Sequence, residues 1–333
     1  MVKILRNAIR LPAIFIYLIH DLQKQKKFVK QSIEPLLEQA RISNDGTLTD
    51  KDFLKINKYY GLAVPAILGE AFCILRGNPM SESERWVSTS QGVITGLFDD
   101  FFDDLKLPED QIVNMLENPK SIVPKSSNEK LFLDFYIKTM QEAARPKEMK
   151  KQLLLVHKAQ VMSVEQENPD IKKSRIWDIT RNKGGYSVLF YRTAFDMLPK
   201  VGEEEALFQL GSILQLENDV FDIYKDAKSK IATLPTTLSK VVELRKHYKE
   251  QISLLLELCY TMDYSSKRIK LFLDRMIPVI NRGLVCLDHY QRLEDNNGGK
   301  FDISGFSRKQ LICDMEKSGN ILRAIKYQLS NNY

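Results

Sequence analysis

Apolar residues recur every three or four positions along almost the whole chain, which is the spacing of one buried face of an α-helix. No stretch shows a convincing alternation of apolar and polar residues, the pattern of a half-buried strand. Only 15 glycines and 12 prolines occur in 333 residues, which also disfavours an all-β fold. The sequence therefore predicts an all-α protein.

Capping residues, glycines and prolines interrupt this pattern and predict where the helices begin and end. The predicted helices, roughly ten to twelve in number, include residues 24–40, 52–75, 81–104, 129–144, 147–167, 174–198, 203–226, 237–260, 265–292 and 307–329. Kinks or breaks are expected at Pro35, Pro65 and Pro278. A further interruption is expected at Lys183-Gly184-Gly185, because each glycine costs a helix about 1 kcal/mol relative to alanine. No internal repeat or low-complexity linker divides the chain, so one domain over 1–333 is expected.

The N-terminal segment 1–30 joins an apolar run to a basic one. Residues 11–19 are apolar apart from the hydroxyl of Tyr17, and this run is too short to span a bilayer. No small-residue cleavage site follows it, so a signal peptide is not expected. A basic run comes next, made of Lys24, Lys26, Lys27 and Lys30. Two interpretations stay open: an ordinary core helix with a charged end, or an accessory helix that rests on a membrane surface.

Composition narrows the classes of function. A hydrophobic content of 44% and a charged content of 28% are typical of a soluble globular protein. The net charge of +6 suits an anionic small molecule or an anionic membrane surface. Lysines and arginines are scattered and no nucleic-acid motif occurs, so no nucleic-acid partner is expected. The four cysteines are far apart and lack a CxxC spacing, which predicts buried thiols in a reducing, cytoplasmic compartment, with or without attachment to a membrane surface.

The highest density of candidate functional residues lies in the sequence Asp-Asp-Phe-Phe-Asp-Asp at 99–104. On a helix, Asp99 lies one turn from Asp103 and Asp100 one turn from Asp104, so all four can face one side. Like charges at this spacing repel each other and weaken the helix. A divalent cation removes that repulsion, and Mg²⁺ prefers oxygen ligands. The alternative is a solvated acidic helix end.

A second acidic group lies far down the chain. Asn218, Asp222 and Asp226 are spaced by four residues, so they project from one helix face over successive turns. Gln215 and Asp219 flank this face, and Lys225 lies beside it. The intervening residues are mostly apolar, which predicts a buried helix whose carboxylates need partners. A metal site with cations beside it is suited to a diphosphate, whereas the alternative is a polar face in solvent.

Two acidic motifs on separate helices of an all-α chain resemble the class I isoprenoid synthase superfamily. The first matches the family's DDxxD motif through Asp99, Asp100 and Asp103. The second resembles the squalene/phytoene synthase pattern QxxNxxxDxxxD followed by Leu-Pro, through Gln215, Asn218, Asp222, Asp226 and Leu234-Pro235. It is also similar to the NDxxSxxxKE triad of terpene cyclases, with aspartates at Asp222 and Asp226 where Ser or Thr and Glu are usual.

The resemblance implies a helical bundle with a central active-site cavity and about three Mg²⁺ ions. The implied metal ligands are Asp99, Asp100, Asp103, Asp104, Asn218, Asp222 and Asp226. Arg181 resembles the diphosphate-sensing arginine before the helix break of cyclases, Gly185 the residue whose carbonyl faces the cavity, and Lys183 a diphosphate-binding lysine of chain-elongating relatives. The implied catalytic residues are Asp99, Asp100, Asp103, Arg181 and Lys183. The implied substrate contacts are Arg181, Lys183, Gly185, Lys225, Phe98 and Tyr186.

The implied activity is a Mg²⁺-dependent terpene synthase that ionises a prenyl diphosphate and then cyclises or eliminates. Head-to-head condensation of two prenyl chains is nearly as well supported by the second motif. Chain elongation is disfavoured, because Leu105-Lys106-Leu107-Pro108-Glu109 stands where elongating enzymes carry an arginine pair. A helical interaction protein without activity is the rival outside the enzymes. A homodimer is one of the expected assembly states.

Overall fold

The computed structural model describes residues 2–103 and 105–330, and the side chains of residues 7–102 and 105–330. Every regular element within these ranges is helical, so the predicted all-α class is confirmed. The chain divides into two compact units. The N-terminal unit comprises Ile14–Leu155 and Phe190–Leu198, and the C-terminal unit comprises Met1–Ala13, Val156–Leu189 and Pro199–Tyr333. The expectation of one domain over 1–333 stays a prediction.

Within residues 2–103 and 105–167, the described chain forms nine α-helices with short π-helical and 3₁₀ turns between some of them. The α-helices are α1 (Val2–Phe28), α2 (Glu34–Ile42), α3 (Asp50–Leu54), α4 (Gly61–Ala63), α5 (Glu70–Arg76), α6 (Glu82–Asp103), α7 (Glu109–Glu117), α8 (Ser127–Glu142) and α9 (Pro146–Met162). The π-helical turns are Val29–Ile33, Lys55–Tyr60 and Val64–Gly69, and the 3₁₀ turns are Pro119–Ser121 and Ser163–Glu167.

The second half of the chain continues in the same manner. Its helices are α10 (Lys173–Arg192), α11 (Glu203–Phe221), α12 (Ile223–Lys228), α13 (Leu234–Thr237), α14 (Val241–Thr261), α15 (Ser266–Asn296), α16 (Arg308–Leu311) and α17 (Ser318–Ser330), with a 3₁₀ turn at Ile303–Gly305. The predicted helix over 307–329 is therefore two helices, α16 and α17, separated by an irregular segment.

Three prolines lie within or next to continuous helical segments. Pro35 follows the π-helical turn Val29–Ile33, and Pro65 lies inside the turn Val64–Gly69. A proline lacks the N–H that an α-helix needs and its ring crowds the preceding turn, and a π-helical turn accommodates such a local misfit. Pro278 lies within α15, which runs unbroken around it. At Pro35 and Pro65, where kinks or breaks were expected, the structure has π-helical turns. Helix α15 is not interrupted at Pro278.

Helix α6 forms the centre of the N-terminal unit. It packs against α8 and against the two π-helical turns of the segment Asp50–Arg76. A capping box starts the helix, because Ser81 Oγ accepts from the Glu84 N–H (3.2 Å) and the Glu84 carboxylate accepts from the Ser81 N–H (2.9 Å). The buried side of its C-terminal half carries aromatic side chains, which place the aspartates of 99–103 at the edge of a tightly packed core.

The segment Asp50–Arg76 is long and apolar enough to span a membrane by length and composition. Its most apolar window is 56% buried inside the structure, and a core helix of a soluble protein passes the same test. Gly77 ends the segment with a left-handed backbone (φ 78°), as expected for a residue without a side chain.

Helix α11 is the central helix of the C-terminal unit. It packs against α14 and α15, and α15 packs in turn against α17. Two buried tyrosines tie these helices together: Tyr248 donates to the carbonyl of Ile280 (2.8 Å), and Tyr290 donates to the carbonyl of Val220 (2.9 Å). Tyr290 therefore fixes the backbone two residues before Asp222, where α11 ends.

The interruption expected at Lys183-Gly184-Gly185 is wrong, because α10 is continuous from Lys173 to Arg192. The glycines serve close helix packing instead. A Cβ atom built on Gly184 would collide with the backbone carbonyl of Gly211 in α11 and would lie 2.7 Å from Cβ of Gln215. A Cβ on Gly211 would lie 2.9 Å from Cα of Gly185. Helices α10 and α11 thus cross backbone against backbone, and this contact compensates the low helix propensity of glycine.

We expect Gly211→Ala to destabilise the protein by about 2 to 3 kcal/mol, because the new methyl group forces two helix backbones apart. The measurement is the free energy of unfolding from urea titration followed by circular dichroism. Gly305→Ala is the matched control, since a Cβ there meets no atom within 4 Å. A Gly211→Ala protein as stable as the control would contradict the close crossing.

Candidate functional site

The first acidic group lies at the C-terminal end of α6. The backbone of this end is closed by two hydrogen bonds, from the Leu105 N–H to the Asp100 carbonyl (2.8 Å) and from the Leu107 N–H to the Phe101 carbonyl (2.9 Å). The C-terminal end of a helix carries a partial negative charge from its free carbonyl groups. Carboxylates at this end are therefore repelled by the helix as well as by each other, and a cation relieves both effects.

Asp100 is the most buried carboxylate of this group, with 3% of its surface exposed. One of its oxygens, Oδ1, is ion-paired with the ammonium of Lys55, which comes from the π-helical turn Lys55–Tyr60. The other oxygen, Oδ2, accepts no hydrogen bond from an N–H or hydroxyl donor among the described residues, but the carboxyl group of Asp100 lies within hydrogen-bonding reach of the carboxyl group of Asp52. Burial raises the pKa of Asp100 to about 6, opposed by Lys55 and reinforced by the charge and the hydrogen bond of Asp52.

Lys55 also lies near Asp52, with 3.7 Å between its Nζ and Oδ1 of that residue. The other oxygen of Asp52 is held by Thr49, whose N–H donates at 2.8 Å and whose hydroxyl donates at 2.7 Å. Burial lowers the pKa of Lys55, but its hydrogen bond to Asp100 and the charges of the neighbouring aspartates raise it above the usual value. Lys55 is thus a fully charged counter-ion of two carboxylates.

Asp99 has a different partner, because it is half-buried and accepts a hydrogen bond from the hydroxyl of Tyr60 (2.9 Å). The charge of Asp99, followed by burial, raises the pKa of Tyr60 well above its usual value. Asp103 lies in the last turn of α6, and its side chain is outside the described side chains; Asp104 lies outside the described residues. The contribution of these two aspartates to a metal site stays a prediction.

Phe98 lies beneath the acidic group and is 2% exposed. Its ring packs edge-on against Phe102 (5.3 Å between centroids) and Phe101 (6.0 Å), and Phe101 packs against Phe132 (4.9 Å). These contacts hold the C-terminal end of α6 rigidly within the N-terminal unit. The substrate contact expected for Phe98 stays a prediction.

The second acidic group keeps its helical spacing although the helix is locally interrupted. Asp222 adopts a turn conformation (φ −89°, ψ 8°) between α11 and α12. The Asp222 N–H still donates to the Asn218 carbonyl (2.9 Å), and the Asp226 N–H donates to the Asp222 carbonyl (2.9 Å). Asn218 is exposed, whereas Asp222 and Asp226 are partly buried.

Asp219 is the buried member of this second group. Its two oxygens accept hydrogen bonds from Gln215 Nε2 and from the hydroxyl of Thr180 in α10, both at 2.9 Å. Burial raises the pKa of Asp219, while these hydrogen bonds and the charge of Lys183 oppose the effect. In the sequence, Asp219 only flanks the helix face that carries Asn218, Asp222 and Asp226. In the structure, both of its carboxylate oxygens accept hydrogen bonds.

The carboxylates of Asp222 and Asp226 accept no hydrogen bond and form no ion pair within residues 7–102 and 105–330. Burial, followed by the charges of Asp219 and Asp222, raises the pKa of Asp226 to about 7. Burial also raises the pKa of Asp222, against the charge of Lys225. Lys183 and Lys225 both oppose the shift of Asp226, so these two predicted diphosphate-binding lysines lie within electrostatic reach of the acidic group.

Three other residues expected to contact substrate converge on one aromatic ring, that of Phe208 in α11. The guanidinium of Arg181 lies 5.6 Å from the ring centroid, and Tyr186 packs edge-on at 5.2 Å. A Cβ atom on Gly185 would collide with the same ring. Gly185 lies inside the continuous helix α10, so the exposed carbonyl of a helix break is not formed there. Its assignment as a substrate contact stays a prediction.

Three functional candidates escaped the sequence analysis: Lys55, Tyr60 and Phe208. Lys55 and Tyr60 lie about forty residues before the aspartates that they contact, and no spacing rule links a π-helical turn to a distant helix end. Asp52 did have a signal, since Thr49 and Asp52 have the spacing of a capping box, which the structure shows.

A resident metal ion usually needs several ligand side chains that lie close together. Among the residues whose side chains are described, 7–102 and 105–330, no three His, Cys, Asp or Glu side chains converge closely enough to hold an ion. The donor chemistry nevertheless suits Mg²⁺, which takes one or two carboxylates and completes its shell with water and phosphate oxygens. The carboxylates of Asp100, Asp222 and Asp226 are such donors.

The chain matches no family model, no curated protein and no solved structure in comparisons with known proteins. All four cysteines are free and buried, as predicted.

We expect Asp226→Asn to stabilise the metal-free protein at pH 8 by about 1 kcal/mol, a value reduced for the partial exposure of the side chain. The pKa of Asp226 is about 7 in the folded protein, above the usual value of 3.8. The folded state therefore binds more protons than the unfolded state between these values, and wild-type stability falls as the pH rises through this window.

The measurement is urea unfolding at pH 4, 6 and 8 in the presence of a chelator. Asp178→Asn, which removes an exposed carboxylate from α10, is the control. A stability gain for Asp226→Asn that is equal at pH 4 and pH 8 would argue against the raised pKa.

Proposed function

We propose that the protein is a Mg²⁺-dependent class I terpenoid synthase that releases diphosphate from a prenyl diphosphate. The observation that carries this proposal is the second acidic group. Within the described residues, the partly buried carboxylates of Asp222 and Asp226 accept no hydrogen bond and form no ion pair, the pKa of Asp226 is raised to about 7, and Lys183 and Lys225 lie within electrostatic reach. A fold gains no stability from such crowding, so a bound cation is the explanation that we favour.

Mg²⁺ held by these carboxylates would supply Lewis-acid stabilisation to a departing diphosphate. The chain's own residues provide the remaining chemistry. Asp222 and Asp226 supply oxygen donors, and Asp219 is held in place by Gln215 and Thr180. The ammonium groups of Lys183 and Lys225 neutralise charge that the carboxylates and the diphosphate would otherwise accumulate, which is electrostatic stabilisation of the leaving group.

The first acidic group supports the same proposal from its own unit. Asp100 contributes a buried carboxylate at the negative end of α6, and Asp99 accepts a hydrogen bond from Tyr60. The prenyl chain as substrate and the central cavity belong to the proposal and follow from the resemblance of the two motifs. The cytoplasmic location also belongs to the proposal and follows from the cysteines, which lack a CxxC spacing.

A second candidate, head-to-head condensation of two prenyl chains, is favoured by one observation. Gln215 is the first residue of the squalene/phytoene synthase pattern, and its amide donates to Asp219 at 2.9 Å. The amide thus supports the acidic group directly, which gives this position a physical role. The number of carbon atoms in the product distinguishes the two candidates.

We expect the purified protein to release diphosphate from at least one of the C10, C15 or C20 prenyl diphosphates when Mg²⁺ is present. Asp100→Asn and Asp222→Asn should each slow release by about 100-fold or more, because each removes a charged donor of the metal. The measurements are a colorimetric diphosphate assay and gas chromatography with mass spectrometry of the products.

Asp110→Asn and Asp178→Asn are matched controls with exposed carboxylates, and they should keep wild-type rates. A hydrocarbon with a doubled carbon skeleton would favour condensation over cyclisation. No diphosphate release from any of the substrates, with or without Mg²⁺, would overturn the whole proposal and leave the non-enzymatic interaction protein.

A further inference from the structure

We propose that Lys55 is an internal counter-cation of the first acidic group, which neutralises Asp100 in the metal-free protein and gives way to a divalent cation. This inference rests on the proposed function, because it concerns the same metal-binding aspartates. It assigns a role to a residue that no sequence motif includes.

The geometry around Asp100 shows why a cation is needed there. Asp100 is almost completely buried, its Oδ1 pairs with Lys55, and its carboxyl group lies within hydrogen-bonding reach of the carboxyl group of Asp52. Two carboxylates this close together repel each other, and burial removes the water that would screen them. The ammonium of Lys55 offsets part of this cost and leaves negative charge that a divalent cation would neutralise.

Asp52 keeps Lys55 within reach of the site. Its carboxylate lies 3.7 Å from the ammonium and is held by two hydrogen bonds from Thr49. If a divalent ion binds to Asp100, the ammonium of Lys55 can still pair with the carboxylate of Asp52. The exchange thus replaces one positive charge at Asp100 with two, and Lys55 remains available beside the metal for a phosphate oxygen.

The π-helical turn Lys55–Tyr60 makes this placement specific. The turn carries Lys55 towards Asp100 and Tyr60 towards Asp99, so one local departure from α-helical geometry supplies a partner to each described carboxylate of the group. Such π-helical turns occur frequently at functional sites. Lys58 lies in the same turn but is exposed, which makes it a matched control for the charge alone.

The test is a titration with Mn²⁺, a paramagnetic substitute for Mg²⁺, at pH 8 without any diphosphate. Free Mn²⁺ is measured by electron paramagnetic resonance. We expect Lys55→Met to bind Mn²⁺ at least about fivefold more tightly than wild type, which corresponds to roughly 1 kcal/mol of competition. Lys55→Arg, which keeps the positive charge, and Lys58→Met should both stay close to wild-type affinity.

Equal Mn²⁺ affinity in folded Lys55→Met and Lys58→Met would overturn the inference. A second measurement on the wild-type protein does not depend on whether the variant folds. Acetylation of Lys55 by acetic anhydride, followed by peptide mass spectrometry, should accelerate when Mn²⁺ is added, while acetylation of Lys58 should not. Unchanged acetylation of Lys55 under saturating Mn²⁺ would also overturn it.

Neither measurement uses a prenyl substrate, so the role of Lys55 and the synthase activity can be contradicted independently of each other. A protein without diphosphate release whose Lys55→Met variant binds Mn²⁺ more tightly would keep the counter-cation and lose the synthase. An active synthase with unchanged Mn²⁺ affinity in that variant would keep the function and lose the role of Lys55.

A different observation, the exposed face of α1, carries a second inference. We propose that residues 15–30 dock onto an anionic membrane surface. Phe15, Ile16 and Ile19 are 40%, 64% and 52% exposed. Large apolar side chains exposed together on one helix indicate an interaction surface.

Lysines continue this apolar face along the same side of the helix. Ile16, Ile19, Gln23 and Lys27 follow one another at spacings of three and four residues, and Lys26 and Lys30 flank this line. Lys24, Lys26, Lys27 and Lys30 are exposed, and no carboxylate within residues 7–102 and 105–330 forms an ion pair with any of them. An apolar stretch followed by unpaired lysines is the arrangement of a helix that lies in a membrane interface.

The opposite face of this segment is anchored, which fixes the orientation of the exposed one. Gln25 is fully buried, and its amide donates to the carbonyl of Gly61 (2.8 Å) and to the hydroxyl of Thr89 (2.9 Å). Arg85 donates to the same amide's oxygen at 2.8 Å. The lysine face therefore cannot turn inward without breaking three buried hydrogen bonds.

Electrostatic complementarity favours an anionic membrane over a second copy of the chain as the binding partner of the exposed face of residues 15–30. A second copy would present the same lysines and no carboxylate on this face. An anionic lipid surface contributes negative charge, worth about 1 kcal/mol for each lysine near it, and accepts the isoleucines between its headgroups. The chain's net charge of +6 acts in the same direction.

The test is sedimentation of the full chain with vesicles of phosphatidylcholine alone and with about 30% phosphatidylglycerol. We expect binding to the anionic vesicles only, and release by high salt. The double variants Ile16→Asp with Ile19→Asp, and Lys26→Glu with Lys27→Glu, should each lower binding about tenfold or more. Val123→Asp, at a side chain that is 83% exposed elsewhere in the same unit, should bind like wild type.

Wild-type protein that stays in solution with anionic vesicles would overturn the membrane proposal, as would double variants that bind like Val123→Asp. Size-exclusion chromatography provides the remaining outcome. Loss of a dimer in the isoleucine variant, without vesicle binding by wild type, would show that the face joins two copies and that the membrane proposal is wrong.

Discussion

The cost of placing carboxylates among apolar helices is the constraint on which the rest of the structure depends. Asp100 and Asp226 each lie where burial opposes ionisation, and the pKa of each is raised, to about 6 and about 7 respectively. The two sites meet this cost differently. Asp100 forms an ion pair with Lys55 through one oxygen, whereas Asp226 forms no ion pair within the described residues and is affected through space by the charges of Lys183, Lys225 and two other aspartates. The second group therefore gains more from an added cation than the first.

The surrounding helices hold these carboxylates in place through contacts that are not themselves acidic. Tyr290 fixes α11 just before Asp222, and the crossing of Gly184 with Gly211 brings α10 close enough for Thr180 to donate to Asp219. In the other unit, the aromatic cluster around Phe98 fixes the end of α6. Rigid surroundings matter for an electrostatic site, because carboxylates that could move apart would relieve their repulsion without any ion.

The sequence predicted the helical class and most helix positions well, because apolar spacing and capping residues act locally. The start of α6 at Ser81 and Glu84 and the end of α5 at Gly77 are examples. The prediction from sequence was wrong where the role of a residue depends on backbone that lies far away in the sequence. Gly184 looked like a helix breaker because propensity counts only the local cost, whereas the compensating contact comes from Gly211, 27 positions away. Propensity is a weak prior that tertiary packing overrides.

The candidate site shows the same division between local and distant information. The spacing of Asn218, Asp222 and Asp226 survives in the structure because it depends only on consecutive turns of backbone, which continue even through the turn at Asp222. Lys55 could not be predicted, because its contact with Asp100 depends on a π-helical turn and on how two helices pack. The acidic motifs are therefore visible in the sequence, because their spacing is local, while the ion pair of Lys55 with Asp100 becomes visible only when the fold brings the two residues together.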